Sequence, residues 1–174
     1  DAFYHSILNE VVSLTGAKYG AVGLFDASGK LQQFLTEGLS EEERQKIGPY
    51  PVGKGLLQAF YRENTITRIN RIADDPRSCG FPPGHPQMKS FLGVPIERRR
   101  GVFGILYLTE KVDGPAFTED DEHIARLLAA QAGAAVENAR LHEESARLLE
   151  EVQQLQRSRE RFFTSSTKAS RKLF

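Results

Sequence analysis

Ser90-Phe91-Leu92-Gly93-Val94-Pro95-Ile96-Glu97 and Val102-Phe103-Gly104-Ile105-Leu106-Tyr107-Leu108-Thr109-Glu110 read as two long strands, joined by Arg98-Arg99-Arg100-Gly101. A strand points successive side chains to opposite faces. On the second run Phe103, Ile105, Tyr107 and Thr109 therefore share one face, and Val102, Gly104, Leu106 and Leu108 share the other. Both sets are largely apolar, which predicts a strand covered on both sides, at the centre of a sheet. The arginine run fits a solvated turn, with an anion contact as the alternative.

Immediately upstream lies a long irregular stretch, Asp74 to Gln87, ending in Cys79-Gly80-Phe81-Pro82-Pro83-Gly84-His85-Pro86-Gln87-Met88. Loops beyond about 12 residues are uncommon in compact domains and are often functional. Pro82, Pro83 and Pro86 fix φ and bias their predecessors to extended geometry. An imidazole held between such residues suits ligation of a metal through one ring nitrogen, with a partner on the other setting the tautomer. From the residues alone, a plain loop histidine is the more ordinary reading. Cys79 reads as a loop thiol, with a redox role as the alternative.

Further outward, Phe3, Ile7, Leu8, Val11, Val12 and Leu14 have helical spacing up to Gly16, which suits a helix terminus. Tyr19–Asp26 and Leu31–Glu37 form a predicted antiparallel pair around Ala27-Ser28-Gly29-Lys30. Ser40 caps a short acidic-start helix to about Ile47, and Pro49-Tyr50-Pro51 breaks it. Leu56–Tyr61 is a second short helix, and Thr65–Ile69 a third strand. Gly53-Lys54-Gly55 lacks the full spacing of a phosphate loop and reads as punctuation before that helix.

Thr118, followed by Glu119-Asp120-Asp121-Glu122, opens a very long helix with favourable cap and dipole charges. Ile124, Leu127, Leu128, Gln131, Ala135 and Val136 are its expected core-facing stripe, with small Ala and Gly residues for close approach. Beyond Arg140, Leu141, Ser145, Leu148, Val152, Leu155, Arg159 and Phe162 follow alternating four- and three-residue steps. One narrow apolar seam on a polar helix predicts a parallel pairing with a second copy. The organisation read from the chain is residues 1–140 as a sensor domain, 141–163 as a coiled-coil signalling helix and 164–174 as a frayed or truncated tail.

The 174 residues carry 23 Lys plus Arg and 23 Asp plus Glu, so no basic field draws a nucleic acid. A lone cysteine forms no internal disulfide and fits a reducing cytoplasm. No apolar run approaches the roughly 20 residues needed to span a bilayer, and no leader opens the chain. No catalytic constellation can be assigned a role, so no enzyme activity is expected of this chain.

The order of elements resembles a GAF domain, an α/β (α+β) fold with an antiparallel sheet flanked by helices and a ligand pocket on one side. Phe91-Leu92-Gly93-Val94-Pro95-Ile96, Phe103-Gly104-Ile105-Leu106-Tyr107-Leu108 and Phe117-Thr118-Glu119-Asp120-Asp121 carry the likeness, over about residues 1 to 140. Within that family, Gly80-Phe81-Pro82-Pro83-Gly84-His85-Pro86-Gln87-Met88 resembles the haem-binding GAF domains of the mycobacterial dormancy oxygen and redox sensor kinases. The resemblance implies haem b, with His85 as proximal iron ligand and Tyr107 on the distal side. It makes Phe34, Phe81, Met88, Phe91 and Ile105 candidate apolar walls. It further implies a diatomic gas ligand (O2, NO or CO) or a redox signal, and a homodimer passing that signal along its C-terminal helices. In those sensors a carboxylate and an imidazole stand near the haem edge, whereas Gly23 and Phe25 occupy the aligned positions here.

Neither the Asn-Lys-Phe-Asp-Glu constellation of cyclic-nucleotide-binding members nor the Cys-His pair that attaches bilins is evident. Gln153–Phe163 resembles the linker into a histidine kinase phosphoacceptor helix. His142 lacks the arginine of the phosphoacceptor box and reads as a solvated helix residue.

Overall fold

Alternating apolar residues in five short runs build one antiparallel sheet of order β2-β1-β5-β4-β3, with β1 (Ala17–Phe25), β2 (Leu31–Glu37), β3 (Thr67–Ile69), β4 (Phe91–Arg98) and β5 (Gly101–Lys111). The helices are α1 (Ala2–Thr15), α2 (Glu41–Ile47), α3 (Gly55–Glu63) and α4 (Glu119–Ser170), with a 3-10 turn at Ile72–Asp74. This computed structural model describes residues 2–47, 55–99 and 101–170. The expected break at Pro49-Tyr50-Pro51, the Gly53-Lys54 pair, Arg100 and the last four residues of the tail lie outside the described residues.

Two compact units divide the chain, Asp1–Ala134 and Ala135–Phe174. In the first, β5 is the middle strand, as its two apolar faces predict. Leu106 pairs with Val22 of β1 and Val94 of β4, and Leu108 with Gly20 and Leu92. These residues form one face, and Val22, Leu92, Leu106 and Leu108 on it are almost completely buried. α1 covers part of this face. A Cβ on Gly20 would stand 2.6 Å from Val12 and 2.9 Å from Leu8, so the glycine is what lets the helix settle. α4 reaches the backbone of β4 at Gly133, where a Cβ would strike the Glu97 carbonyl oxygen.

Helix ends follow local chemistry. Ser40 Oγ accepts the Glu43 amide at 3.2 Å while Glu43 accepts the Ser40 amide at 2.8 Å, a reciprocal cap on α2. Thr118 and Asp121 make the same exchange at the start of α4. In the β1–β2 turn, Asp26 Oδ1 accepts the Ser28 and Lys30 amides and the Ser28 hydroxyl, and Oδ2 accepts Gln32. These bonds, first that from the Ser28 hydroxyl, hold the Asp26 carboxyl down at about 2.

The core-facing stripe of α4 differs from the sequence expectation. Asp121, Ala125, Leu128, Ala129, Ala132 and Gly133 are buried, whereas Leu127 is 59% exposed and Gln131 is also outside. Small residues allow the helix axis to come close, so the arc of alanines and glycine faces the sheet and the larger Leu127 is turned away. Phe3 and Leu14 of α1 are likewise exposed, and Ile7, Leu8, Val11 and Thr15 make its buried face.

In the second unit Arg140 pairs with Glu137 at 3.0 Å and Glu144 at 2.9 Å. Leu141, Leu148, Val152, Leu155 and Phe162 are all exposed along it. Among the described residues no helix is long and apolar enough to cross a membrane.

Candidate functional site

On the face of the sheet opposite α1, small residues flank Tyr107 and Ile105. Tyr107 pairs with Ala21 on one side and Gly93 on the other, and Ile105 with Gly23 and Pro95. The room so left is filled by rings. Phe60 of α3 lies edge-on to Phe91 at a centroid distance of 5.8 Å, and Phe91 stacks with Tyr107 at 5.9 Å. A Cβ on Gly93 would sit 2.8 Å from the Phe60 ring, so the glycine admits that ring. Phe34, which pairs with Gly23 from β2, reaches Tyr107 at 6.2 Å.

Leu56, Phe60, Ile72, Phe91 and Ile105 form the buried centre of this cluster, and Phe81, Met88 and Tyr107 pack against it partly buried. The structure thus brings together Phe81, Met88, Phe91, Ile105 and Tyr107, with Phe34 joined through Tyr107. Burial pushes the Tyr107 phenol up, so it is protonated and available as a hydrogen-bond donor at neutral pH. Phe25 and Tyr61 add a close ring pair at 4.3 Å beside the same cluster. The positions aligned with the missing carboxylate and imidazole, Gly23 and Phe25, therefore present a bare backbone and an aromatic ring.

His85 joins this cluster through Phe81, whose ring stacks on the imidazole at 4.8 Å and 19°. Its amide bonds to Pro82 carbonyl at 3.1 Å, closing a turn in which Gly84 has φ +81°. Pro83-Gly84 at the centre of such a turn is what its geometry requires. His85 Nδ1 lies 2.8 Å from the Pro86 carbonyl. A carbonyl only accepts, so Nδ1 carries a proton, and in the neutral ring the lone pair is then on Nε2. That tautomer suits an imidazole that ligates a metal through Nε2.

The rest of the loop is tied down at both ends. Arg77 binds Asp75 through two nitrogens at 2.9 Å and reaches Glu63 of α3 at 2.8 Å. The Arg77 hydrogen bonds hold the Asp75 carboxyl below its ordinary value, and the same pairing raises the guanidinium. At the exit, Thr109 donates to Met88 Sδ at 3.0 Å and Glu110 accepts the Lys89 amide at 2.8 Å. Sequence reading missed Arg77 and Glu110. A bidentate Asp-x-Arg pair is readable in principle, but Glu110 is not, because its role depends on a left-handed backbone, φ +60°.

The model of the GAF domain family matches residues 1–137. The chain belongs to the GAF family. This GAF domain is 30% identical over 159 residues to a Nif-specific regulatory protein of Herbaspirillum seropedicae, covering 87% of this chain and 29% of that one. A rod cGMP-specific 3',5'-cyclic phosphodiesterase alpha subunit of Bos taurus is 31% identical over 77 residues, 43% of this chain and 9% of that one. The chain thus spans under a third of the curated relatives it matches. Among solved structures, the GAF domain of an Acinetobacter phosphoenolpyruvate-protein phosphotransferase superposes with a TM-score of 0.61 at 24% identity, over 80% of this chain and 84% of that one. The second GAF domain of DevS from Mycobacterium smegmatis gives 0.58 at 17% identity, over 83% and 97%. These likenesses make the GAF domain a sensory module of signalling and regulatory proteins.

One expectation about this GAF domain needs amending. Lys111, Phe117, Asp121 and Glu122 supply four of the five residue types of the Asn-Lys-Phe-Asp-Glu constellation, with Glu110 preceding Lys111 where Asn would stand. Lys111 and Asp121 pair at 2.9 Å with side chains 10% and 7% exposed. The pair pins β5 to the first turn of α4 and, among the described residues, makes no direct contact with the aromatic cluster.

Proposed function

We propose that this GAF domain is a haem b-binding sensor of a diatomic gas or a redox change, within a cytoplasmic signalling protein. The hydrogen bond from His85 Nδ1 to the Pro86 carbonyl carries this reading, because it leaves Nε2 free to ligate. Phe81 holds the imidazole plane by stacking, and Phe34, Met88, Phe91 and Ile105 supply apolar walls. When bound, haem iron supplies an open coordination position or an accessible change of oxidation state. Tyr107, a protonated phenol whose burial raises it further, would donate a hydrogen bond to a gas. The exposed leucine and valine line of α4 supports a homodimer that carries the state to an output domain. The run Ser158-Arg159-Glu160-Arg161-Phe162-Phe163 favours a histidine kinase as that output.

A second reading has its own support. Phe60 against Phe91, and Phe25 against Tyr61, fill the face with the chain's own rings, as in a GAF module that serves mainly in dimerisation or holds a smaller molecule. Titration with hemin, oxidised and then dithionite-reduced, beside His85→Ala, separates the two. A saturable one-to-one Soret band that is lost in the variant is the expected result. A band retained in the variant removes His85 as ligand, and no saturable band in the unmodified chain leaves the second reading.

A further inference from the structure

Three successive residues at the end of β5 hold different parts of the first unit. Thr109 Oγ1 donates to Met88 Sδ at 3.0 Å, and Glu110 Oε2 accepts the Lys89 amide at 2.8 Å. Both therefore grip the segment that leaves His85 and enters β4. The Lys89 carbonyl in turn accepts the Ile72 amide at 2.7 Å, so this segment also anchors the 3-10 turn before the loop.

Lys111 acts elsewhere. Its ammonium donates to the Thr15 carbonyl at 2.6 Å, at the end of α1, and to the Asp121 carboxylate at 2.9 Å, in the first turn of α4. Asp113, at 3.4 Å, is the other charge facing it. Asp121 is the same residue that closes the cap of α4, accepting the Thr118 amide at 2.8 Å while its own amide bonds to Thr118 Oγ1 at 3.2 Å. Losing the ammonium would thus free a carboxylate that the helix start depends on.

Glu110 makes this division possible. In a regular strand Thr109 and Lys111 would share a face. Glu110 sits at φ +60°, a left-handed conformation that glutamate adopts only when its surroundings hold it there. Its surroundings do so: its amide bonds to the Ser90 carbonyl at 3.1 Å, the next amide to Ser90 Oγ at 3.0 Å, and its carboxylate to Lys89. The strained residue and the loop exit therefore define each other's position.

We propose that Thr109-Glu110-Lys111 is a joint coupling the His85 loop to the first turn of α4, with Glu110 and Lys111 as positioning residues. A change in the loop alters the hold of Lys89 on Glu110, shifts the left-handed backbone at Glu110 and so moves the Lys111 ammonium against Asp121. Only the stimulus rests on the haem reading, because the coupling is a property of the chain itself.

Amide hydrogen exchange by NMR, without hemin, tests it. Glu110→Gly keeps the left-handed backbone accessible and deletes the side chain that carries the carboxylate. The Lys89 amide should exchange about tenfold faster, since it loses a hydrogen bond to a charged group, and the Asp121 and Glu122 amides about threefold faster. In a background carrying Lys111→Met with Asp121→Asn, which leaves no unpaired buried charge, Glu110→Gly should speed Lys89 alone. Faster exchange at Lys89 with no change at Asp121 and Glu122 would overturn the joint. So would an undiminished effect on α4 in the neutral background. Should that background fail to fold, the single variant decides the matter by itself. A failed hemin titration leaves all of these results readable.

Discussion

The two faces of the sheet are built from the same three central strands and yet do opposite things. One face sets Val22, Leu92, Val94, Leu106 and Leu108 against one another and closes them with α1. The other sets Ala21, Gly23 and Gly93 around Ile105 and Tyr107, and takes rings from α3, β2 and the loop to cover them. Large residues at alternate positions make a face that is complete in itself. Small ones make a face whose cover comes from other elements of the fold. Neighbouring residues on β5 thus belong to different kinds of chemistry.

Substitutions on β5 test that contrast directly. Leu106→Ala, at 1% exposure, removes a side chain with no neighbour able to take its place. It should cost roughly 2–5 kcal/mol in urea unfolding; a loss well under that range would mean the first face is as adaptable as the second. Tyr107→Phe, one residue along, keeps the ring and its stacking, so stability should change by less than about 1 kcal/mol. Its effect should appear instead in gas affinity of the hemin-loaded chain, and a large loss of stability with no change in affinity would make Tyr107 a core residue. The smallest effect lies at the edge of both faces, in the Asp26 turn. Its carboxyl is held down at about 2, so the stabilisation it contributes is present above the ordinary aspartate value of about 4 and is lost as pH falls through about 2. A carbon-detected titration of Asp26 with its midpoint near 4 would show the turn to be unformed in solution.

Most of the fold could be read from periodicity because strands and caps are local matters. The hairpin of β4 and β5, the Ser40 and Thr118 caps and the burial of both faces of β5 all follow from residues within a few positions of one another. Reading failed where closeness, rather than hydrophobicity, decided the contact. Leu127 looked like core but is exposed, while the small Ala and Gly residues expected to give close approach do so at Ala132 and Gly133. The candidate wall residues came from the resemblance of the His85 loop, whereas Phe60 and Tyr61 of α3 were not singled out, since nothing local marks them. Lys111 with Asp121 was passed over for a similar reason. A pair ten residues apart in sequence becomes a pin only after the chain turns back to begin α4.

Gly93 and Phe60 offer a last consequence. A methyl group at the first would stand 2.8 Å from the ring at the second, so both draw on one volume. Considered as inheritance, they amount to a single character written at two places 33 positions apart. A lineage that gains a side chain at 93 must trim or redirect the ring at 60, and in doing so it repacks the ring cluster beneath α3. Packing on this face would drift by paired exchanges across the sheet, with His85 and its loop left untouched.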